Sequence, residues 1–192
     1  MKKETIHHKL PADFDKKCEI FTALILKYNR VHNITGAKNK KQIAQNIEDS
    51  IYPIKFIDLN IKSAIDIGSG AGFPGLVLAM ALPEVRFGLF EPIKKKSSFL
   101  HLVKSTLNLK NVDIISQRVE EVEAFEVNLI CSRAVTKTEL LIDICRDFIS
   151  KKTTLLFYKG SSVDEELDGF KDYRIYNHGN RNYLIMKDLD DF

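Results

Sequence analysis

The sequence lacks the features that mark a membrane or secreted protein. No apolar run in its 192 residues approaches the roughly 18 that a membrane span requires. The opening segment MKKETIHHKLPADFDKK has no apolar stretch, so we predict no secretory signal. Three cysteines, Cys18, Cys131 and Cys145, are few and far apart, which argues against a disulfide framework or a zinc site. We therefore expect a cytoplasmic protein with free thiols and no bound metal.

Internal repeats and low-complexity linkers are also absent. The chain length fits one domain, and 44% hydrophobic with 29% charged residues is typical of a soluble globular protein. A net charge of +3 permits a nucleic-acid partner without requiring one. The lysines concentrate in Lys38-Asn39-Lys40-Lys41 and Lys94-Lys95-Lys96. Taken alone, each cluster is explained most simply as a solvated face.

Helical patterns come first in the chain. Phe14, Phe21 and Ile25 follow a 3.6-residue period and predict a helix over 13–30. A second helical stretch places isoleucines on one face up to Ile54. We expect residues 1–61 to form a helical N-terminal lobe packed on a core of residues 62–192.

Strands and helices alternate from residue 62 onward. The pattern predicts strands at 63–67, 85–90, 112–115, 127–131 and 154–158, and helices at 74–82, 94–107 and 139–148. Two late strands, 173–176 and 183–186, flank a turn and predict a hairpin. The order indicates an α/β protein with a mostly parallel sheet, helices on both faces and a terminal antiparallel hairpin.

The segment DIGSGAGFPG follows the first predicted strand, where a doubly wound sheet binds its ligand. A phosphate loop is excluded because Leu76 stands where its lysine should follow the last glycine. A dinucleotide fingerprint starting at Gly68 has Phe73 in place of its third glycine, and Pro74 removes an N–H that a pyrophosphate would use. An acid followed by G-x-G-x-G is instead typical of class I (Rossmann-like) S-adenosylmethionine-dependent methyltransferases. Glu91, at the end of the next strand, is the expected partner of the ribose hydroxyls.

Further motifs follow one another along the chain. In order they are YNRVHNITG, NIEDSI, DIGSGAGFPGLVLA, KKKSSFL, QRVEEV, CSRAV, FYKG and GNRNYLIMKD. Together they resemble the ribosomal RNA small subunit methyltransferase G family, also called the glucose-inhibited division protein B family, and the resemblance runs from about Tyr28 to Lys187. The segment NIEDSI departs from the family pattern, with Asn46 and Ile47 where the family usually has Arg and His.

The resemblance implies an enzyme that transfers a methyl group from S-adenosylmethionine to N7 of a guanosine in 16S ribosomal RNA. The partner would be that RNA or the small ribosomal subunit, and we expect a monomer with no membrane association. Carried over to this sequence, the family's cofactor contacts fall on Gly68, Phe73, Val119, Glu120 and Arg133. Arg118, Arg133 and Lys159 match basic positions of the family near the cofactor and the RNA, and we expect Arg118 and Lys159 to hold RNA phosphates.

Methylation at guanine N7 requires no general base, because N7 has a free lone pair and no proton. We therefore assign no catalytic acid or base, and we expect Arg133 to orient the cofactor and the substrate edge. Cys131 lies in an apolar run and is interpreted as a buried residue.

Lys94, Lys95 and Lys96 open a predicted helix, where their positive charges oppose the helix dipole. A bound polyanion would explain their presence there, so we expect these three lysines to contact RNA phosphates. Lys38–Lys41 is assigned the same role.

Two alternatives remain open from the residues. One is a non-catalytic RNA-binding protein that retains the methyltransferase fold, and it differs from the enzyme in transferring no methyl group. The other is a nicotinamide oxidoreductase, for which no hydride-transfer acid or base stands out.

Overall fold

The N-terminal part of the protein is helical, as predicted. A computed structural model describes residues 9–133, 135–167 and 169–187. Helix α1 (Phe14–His32) buries Phe14, Phe21 and Ile25, the periodic apolar residues of the sequence pattern. It ends at Asn33, whose left-handed φ of 46° stops the helix.

Helix α2 (Lys40–Ile51) begins where the side chain of Asn39 accepts a hydrogen bond from the Gln42 N–H at 3.0 Å. A short 3-10 helix, Tyr52–Lys55, continues it and leads into the sheet. Within the part of the chain described, no helix is both long and apolar enough to cross a membrane.

Seven strands of the described chain form one sheet. They are β1 (Ser63–Ile67), β2 (Arg86–Phe90), β3 (Val112–Ile115), β4 (Leu129–Arg133), β5 (Thr154–Lys159), β6 (Tyr173–His178) and β7 (Arg181–Met186). Their order in the sheet is β3-β2-β1-β4-β5-β7-β6. Strands β1 to β5 are parallel, and β7 runs antiparallel to both β5 and β6. The predicted parallel sheet with a terminal antiparallel hairpin is confirmed.

Helices cover both faces of this sheet. The further helices are α3 (Gly75–Ala81), α4 (Lys94–Thr106) and α5 (Thr138–Ile144). Helices α1, α3 and α4 bury their apolar side chains in one cluster with Ala64 and Cys131, whereas α5 packs in a second cluster with Ile65 and Ile130. Neighbouring strand residues thus point to opposite faces, as the two-residue period of a strand requires. The N-terminal helices share the core of the sheet's first face.

Several predicted boundaries differ from the structure. The strand predicted at 127–131 lies two residues later, because Asn128 uses its side-chain oxygen to accept the N–H groups of Lys62 and Ser63 at 2.9 and 3.2 Å. Arg133 therefore ends β4 instead of following it. The helix predicted at 139–148 stops at Ile144, and the hairpin strands extend to a tighter turn at Gly179-Asn180.

Candidate functional site

The site lies where the order of the strands reverses. Strand β1 has β2 on one side and β4 on the other, so the loop after β1 opens at the switch point of the sheet. Ile67, the last residue of β1, pairs with Ser132, whose hydroxyl donates to the Ile67 carbonyl at 2.9 Å. Gly68 and Arg133 therefore leave neighbouring strands side by side.

Two glycines of the loop are required by their surroundings. Gly68 has a φ of 68°, and a Cβ there would lie 2.6 Å from Val135 Cγ2. A Cβ on Gly75 would lie 2.5 Å from Asp66 Oδ2, so only glycine lets α3 begin this close to β1. Pro74, the first residue of the predicted helix, is the N-cap of α3 and lies one position before its observed start.

Asp66 holds the start of α3 from within the sheet. Its fully buried carboxylate accepts the Gly75 N–H at 3.0 Å and lies 3.6 Å from the Cys131 thiol. Burial raises the pKa of Asp66 to about 7, although the hydrogen bonds from Ser69, Gly75 and Cys131 act in the opposite direction. We did not assign Asp66 from the sequence, although the acid before G-x-G-x-G was the available signal.

A cleft of about 450 Å³, called the main cleft below, opens above this loop. Its walls come from Ile34 and Thr35, the glycine loop, the segment after β2, and Arg133 with Val135. Its lining residues are Ile34, Thr35, Gly68, Ser69, Gly70, Ala71, Phe73, Glu91, Pro92, Ile93, Lys96, Arg133 and Val135. The main cleft thus brings the predicted Gly68, Phe73, Glu91 and Arg133 together.

Glu91 ties two segments of the main cleft together. Glu91 is 3% exposed, and its carboxylate accepts the Gly70 N–H at 2.8 Å and the Ile93 N–H at 2.9 Å. One oxygen serves each N–H, so lone pairs remain on both. The carboxylate can therefore hold the glycine loop and still accept a hydroxyl from a ligand in the cleft.

A smaller cleft of about 110 Å³, the side cleft, adjoins the main one and shares Gly68, Pro92 and Val135 with it. Arg118, Val119 and Glu120 line its far wall. A 3-10 helix begins here at Val119, and its first N–H groups have no partner within the helix. The Arg118 side chain is exposed and lies 3.8 Å from the Glu120 carboxylate.

Arg133 is enclosed by residues from both halves of the chain. Its guanidinium lies over the ring of Phe73 at 4.9 Å and donates to the Asn46 side chain at 3.1 Å. Burial, followed by the nearby positive charge of Arg181, lowers the pKa of Arg133. Asn46 thus contacts the site directly, at the position where this sequence departs from the family pattern. Ala134, the next residue of that motif, lies outside the described residues.

The same face of α2 holds a second arginine. Asp49 accepts from Arg181 Nε at 2.9 Å and from the Tyr183 hydroxyl at 3.3 Å. Burial, the charge of Asp49 and this hydrogen bond together raise the pKa of Tyr183. Helix α2 therefore presents Asn46 and Asp49, one turn apart, to arginines from β4 and β7. Sequence reasoning did not find these contacts, because they join residues far apart in the chain.

The lysine cluster at the start of α4 faces outward beside the main cleft. Lys94 and Lys95 are exposed, and the half-buried Lys96 lines the cleft. None of these three lysines pairs with a carboxylate in residues 9–133, 135–167 or 169–187. Lys38, Lys40 and Lys41 are also exposed, at the end of the loop that contains Ile34 and Thr35.

Lys159 has a different environment from the other predicted phosphate ligands. Its ammonium is buried, donating to Glu166 at 2.7 Å and to the Thr136 carbonyl at 3.1 Å. Burial alone would raise the pKa of Glu166, but its hydrogen bonds with Lys159 and Thr138 outweigh this and lower it. Two of the three N–H groups of this ammonium are thus used within the protein, one of them on the segment after β4. The role of Lys159 as a phosphate ligand stays a prediction.

Cys131 is fully buried, as predicted, and its thiol donates to the Ile65 carbonyl at 3.3 Å. Burial raises the pKa of this thiol, which keeps it protonated. No group of three or more His, Cys, Asp or Glu side chains that could hold a metal ion occurs in the described part of the chain.

The strand order, the glycine loop and the adjoining clefts together define a class I methyltransferase fold. A crystal structure of a methyltransferase from Geobacter sulfurreducens superposes with a TM-score of 0.65 at 12% identity, over 88% of this chain and 90% of that one. At this identity the likeness shows the fold alone.

Sequence comparison defines the family. The family model described as rRNA small subunit methyltransferase G matches residues 15–186. Ribosomal RNA small subunit methyltransferase G of Campylobacter curvus is 49% identical over 178 residues, covering 93% of this chain and 94% of the relative. Its counterpart in Aliarcobacter butzleri is 44% identical over 183 residues, covering 94% of each. The chain belongs to the rRNA small subunit methyltransferase G family.

Proposed function

We propose that this protein transfers a methyl group from S-adenosylmethionine to N7 of a guanosine in 16S ribosomal RNA. Family membership supports an S-adenosylmethionine-dependent enzyme that acts on ribosomal RNA. The choice of N7 and of the 16S molecule rests on the family resemblance and on the chemistry of the site.

The observation that best supports the proposal is the joining of the two clefts. They share Gly68, Pro92 and Val135, so an elongated ligand can lie across the carboxyl ends of β1 and β2. In such a ligand Gly68 would contact the methionine end, Glu91 would accept the ribose hydroxyls, and Val119 and Glu120 would contact the adenine edge. The bound cofactor would supply a methyl group activated on a sulfonium.

The residues around the main cleft suit a reaction that depends on positioning. Guanine N7 attacks with its own lone pair, so the protein need only hold it in line with the methyl group. Arginine usually binds guanine at both O6 and N7, but N7 must stay free here. We therefore assign Arg133 to O6, to a phosphate or to the cofactor carboxylate. Phe73 supports the guanidinium from below.

The exposed cations around the clefts are suited to holding the RNA. Lys96 lines the main cleft and Arg118 lines the side cleft, and Lys94 and Lys95 directly precede Lys96 at the start of α4. Lys38–Lys41 follows the loop that contains Ile34 and Thr35. Phosphate contacts from such residues set the position of a nucleic acid. The target base would enter unstacked, because a base within a helical stack cannot reach a buried methyl donor.

Calorimetric titration with S-adenosylmethionine, followed by transfer of labelled methyl to small-subunit particles, tests the proposal. We expect binding, transfer, and N7-methylguanosine as the labelled nucleoside in digested RNA. NAD serves as the control ligand and should not bind. Cofactor binding without transfer would favour the non-catalytic RNA-binding alternative, and a different methylated nucleoside would overturn the N7 assignment.

A further inference from the structure

One side chain organises the loop between α1 and α2. Asn29, in the last turn of α1, uses its whole amide group. Its oxygen accepts the N–H groups of Ile34 at 2.7 Å and Thr35 at 3.0 Å, and its nitrogen donates to the carbonyls of Thr35 at 3.0 Å and Ala37 at 3.3 Å. Four backbone groups of one loop thus depend on a single half-buried side chain.

These backbone groups need such a partner. Asn33 still donates its N–H to the Asn29 carbonyl at 3.2 Å, but its left-handed φ of 46° turns the chain out of the helix, so the next N–H groups, those of Ile34 and Thr35, have no partner in α1. A loop packed against a protein cannot leave its N–H and carbonyl groups unpaired without cost. Without the Asn29 amide, the segment 34–37 would have to move to find water.

The same loop forms one wall of the main cleft. Ile34 and Thr35 line it together with the glycine loop and Glu91, and Ile34 is only 5% exposed. This wall therefore comes from the loop between α1 and α2, and its position depends on Asn29. Small displacements of such a wall change how well a bound ligand is held.

We propose that Asn29 is a positioning residue for the cofactor, acting through the Ile34–Thr35 wall of the main cleft. The inference rests on the proposed function, since it takes S-adenosylmethionine as the occupant of the cleft. It concerns affinity for the cofactor more than the methyl-transfer step, because Asn29 itself does not line the cleft.

The chain offers a matched control. Asn111 also fixes a loop with its amide, donating to the carbonyls of Ala79 at 3.0 Å, Leu82 at 3.3 Å and Val85 at 3.0 Å. It directly precedes β3 and so lies at the amino ends of the parallel strands, whereas the clefts lie at their carboxyl ends. Asn111→Ala therefore loses comparable hydrogen bonds without touching the site.

The test compares the wild type with Asn29→Ala, Asn29→Asp and Asn111→Ala. For Asn29→Ala we expect the dissociation constant of S-adenosylmethionine to rise about tenfold, with kcat at saturating cofactor changed less than about threefold. Asn29→Asp keeps the oxygen that accepts the two N–H groups but places a second oxygen against the carbonyls of Thr35 and Ala37, so its affinity should be no higher than that of Asn29→Ala. Asn111→Ala should lower the melting temperature by about as much as Asn29→Ala does, because each variant loses several hydrogen bonds to the backbone. Its affinity for S-adenosylmethionine should stay within about twofold of the wild type.

Hydrogen exchange supplies a readout that does not depend on the cofactor. The amides of Ile34 and Thr35 should exchange at least about tenfold faster in Asn29→Ala, while those of β1 and β4 keep their rates. Unchanged exchange and unchanged affinity in Asn29→Ala would overturn the inference, as would an equal loss of affinity in Asn111→Ala. Failure of the wild type to bind the cofactor would overturn the proposed function instead, and the exchange rates would still show whether Asn29 fixes the loop.

Discussion

At the scale of single residues, Arg133 connects the three parts of the site. It ends β4 beside the glycine loop, stacks on Phe73 and bonds to Asn46 of α2. The sequence pointed to Arg133 through its motif and its place near a strand end. It could not show Asn46 as its partner, because residues 87 positions apart meet only in the fold.

Replacing Arg133 with alanine should reduce methyl transfer to small-subunit particles by roughly 100-fold in kcat/KM, since substrate and cofactor would lose their common guide. The fold should persist, as shown by an unchanged circular dichroism spectrum. Arg86→Ala is the matched control, because Arg86 is exposed and pairs only weakly with Asp113 at 3.6 Å. Near-normal turnover in Arg133→Ala would remove Arg133 from the site.

At the scale of elements, α4 begins with charges that do not stabilise it. Three lysines occupy its first turn, no acidic residue stands there, and Ile93 at the N-cap offers no side-chain hydrogen bond. Affinity for RNA is the physical reason we propose for this composition.

Replacing Lys94, Lys95 and Lys96 with alanine should therefore flatten the dependence of RNA binding on salt. Each lost phosphate contact reduces the slope of log K against log salt by about 0.7 to 0.9, so the triple variant should lose about 2 units. The control set is Lys62, Lys110 and Lys152. These lysines are exposed and come shortly before β1, β3 and β5, at the amino ends of the parallel strands and away from the clefts. An unchanged slope in the α4 variant would mean that these lysines are only solvent-exposed charges and do not contact RNA.

The junction between β1 and α3 predicts a pH dependence of stability. Burial raises the pKa of Asp66 from 3.8 to about 7, so the native state holds a proton there that the unfolded chain releases. The resulting stability is fully present below about pH 4 and is lost as the pH rises through about 7.

Urea unfolding of the wild type and Asp66→Asn at pH 5 and pH 8 measures this effect. The wild type should lose on the order of 2 kcal/mol more than the variant on going to pH 8, because asparagine has no proton to release. Equal losses in both proteins would mean that Asp66 is already ionised at the lower pH.

The elements themselves were largely predictable from local pattern. β1 and β3 occupy the predicted residues, because each is a short apolar run bounded by polar residues. The start of β4 was predicted two residues too early, because Val127 is apolar and resembles a strand residue. The strand begins only after Asn128, whose side chain accepts the N–H of Lys62. The ion pair between Lys159 and Glu166 could not be predicted from local pattern, because Glu166 lies in a separate short helix.

At the scale of the whole molecule, the helical N-terminal segment is part of the site. The division into an N-terminal lobe of residues 1–61 and a core of residues 62–192 remains a proposal. Residues 1–8 of the lobe and 188–192 of the core lie outside the described residues. Helix α1 shares its core with α3 and α4, and α2 bonds to residues of β4, β5 and β7. The loop between α1 and α2 also forms one wall of the main cleft. An N-terminal truncation would therefore remove a wall of the site together with the helices.

The central claim is that this chain methylates guanine N7 in 16S ribosomal RNA. Mapping N7-methylguanosine in ribosomal RNA from cells that lack the protein tests it most directly. We predict that one modified guanosine of 16S RNA disappears and returns when the wild-type chain, but not Arg133→Ala, is restored. An N7-methylguanosine pattern identical with and without the protein would contradict the claim.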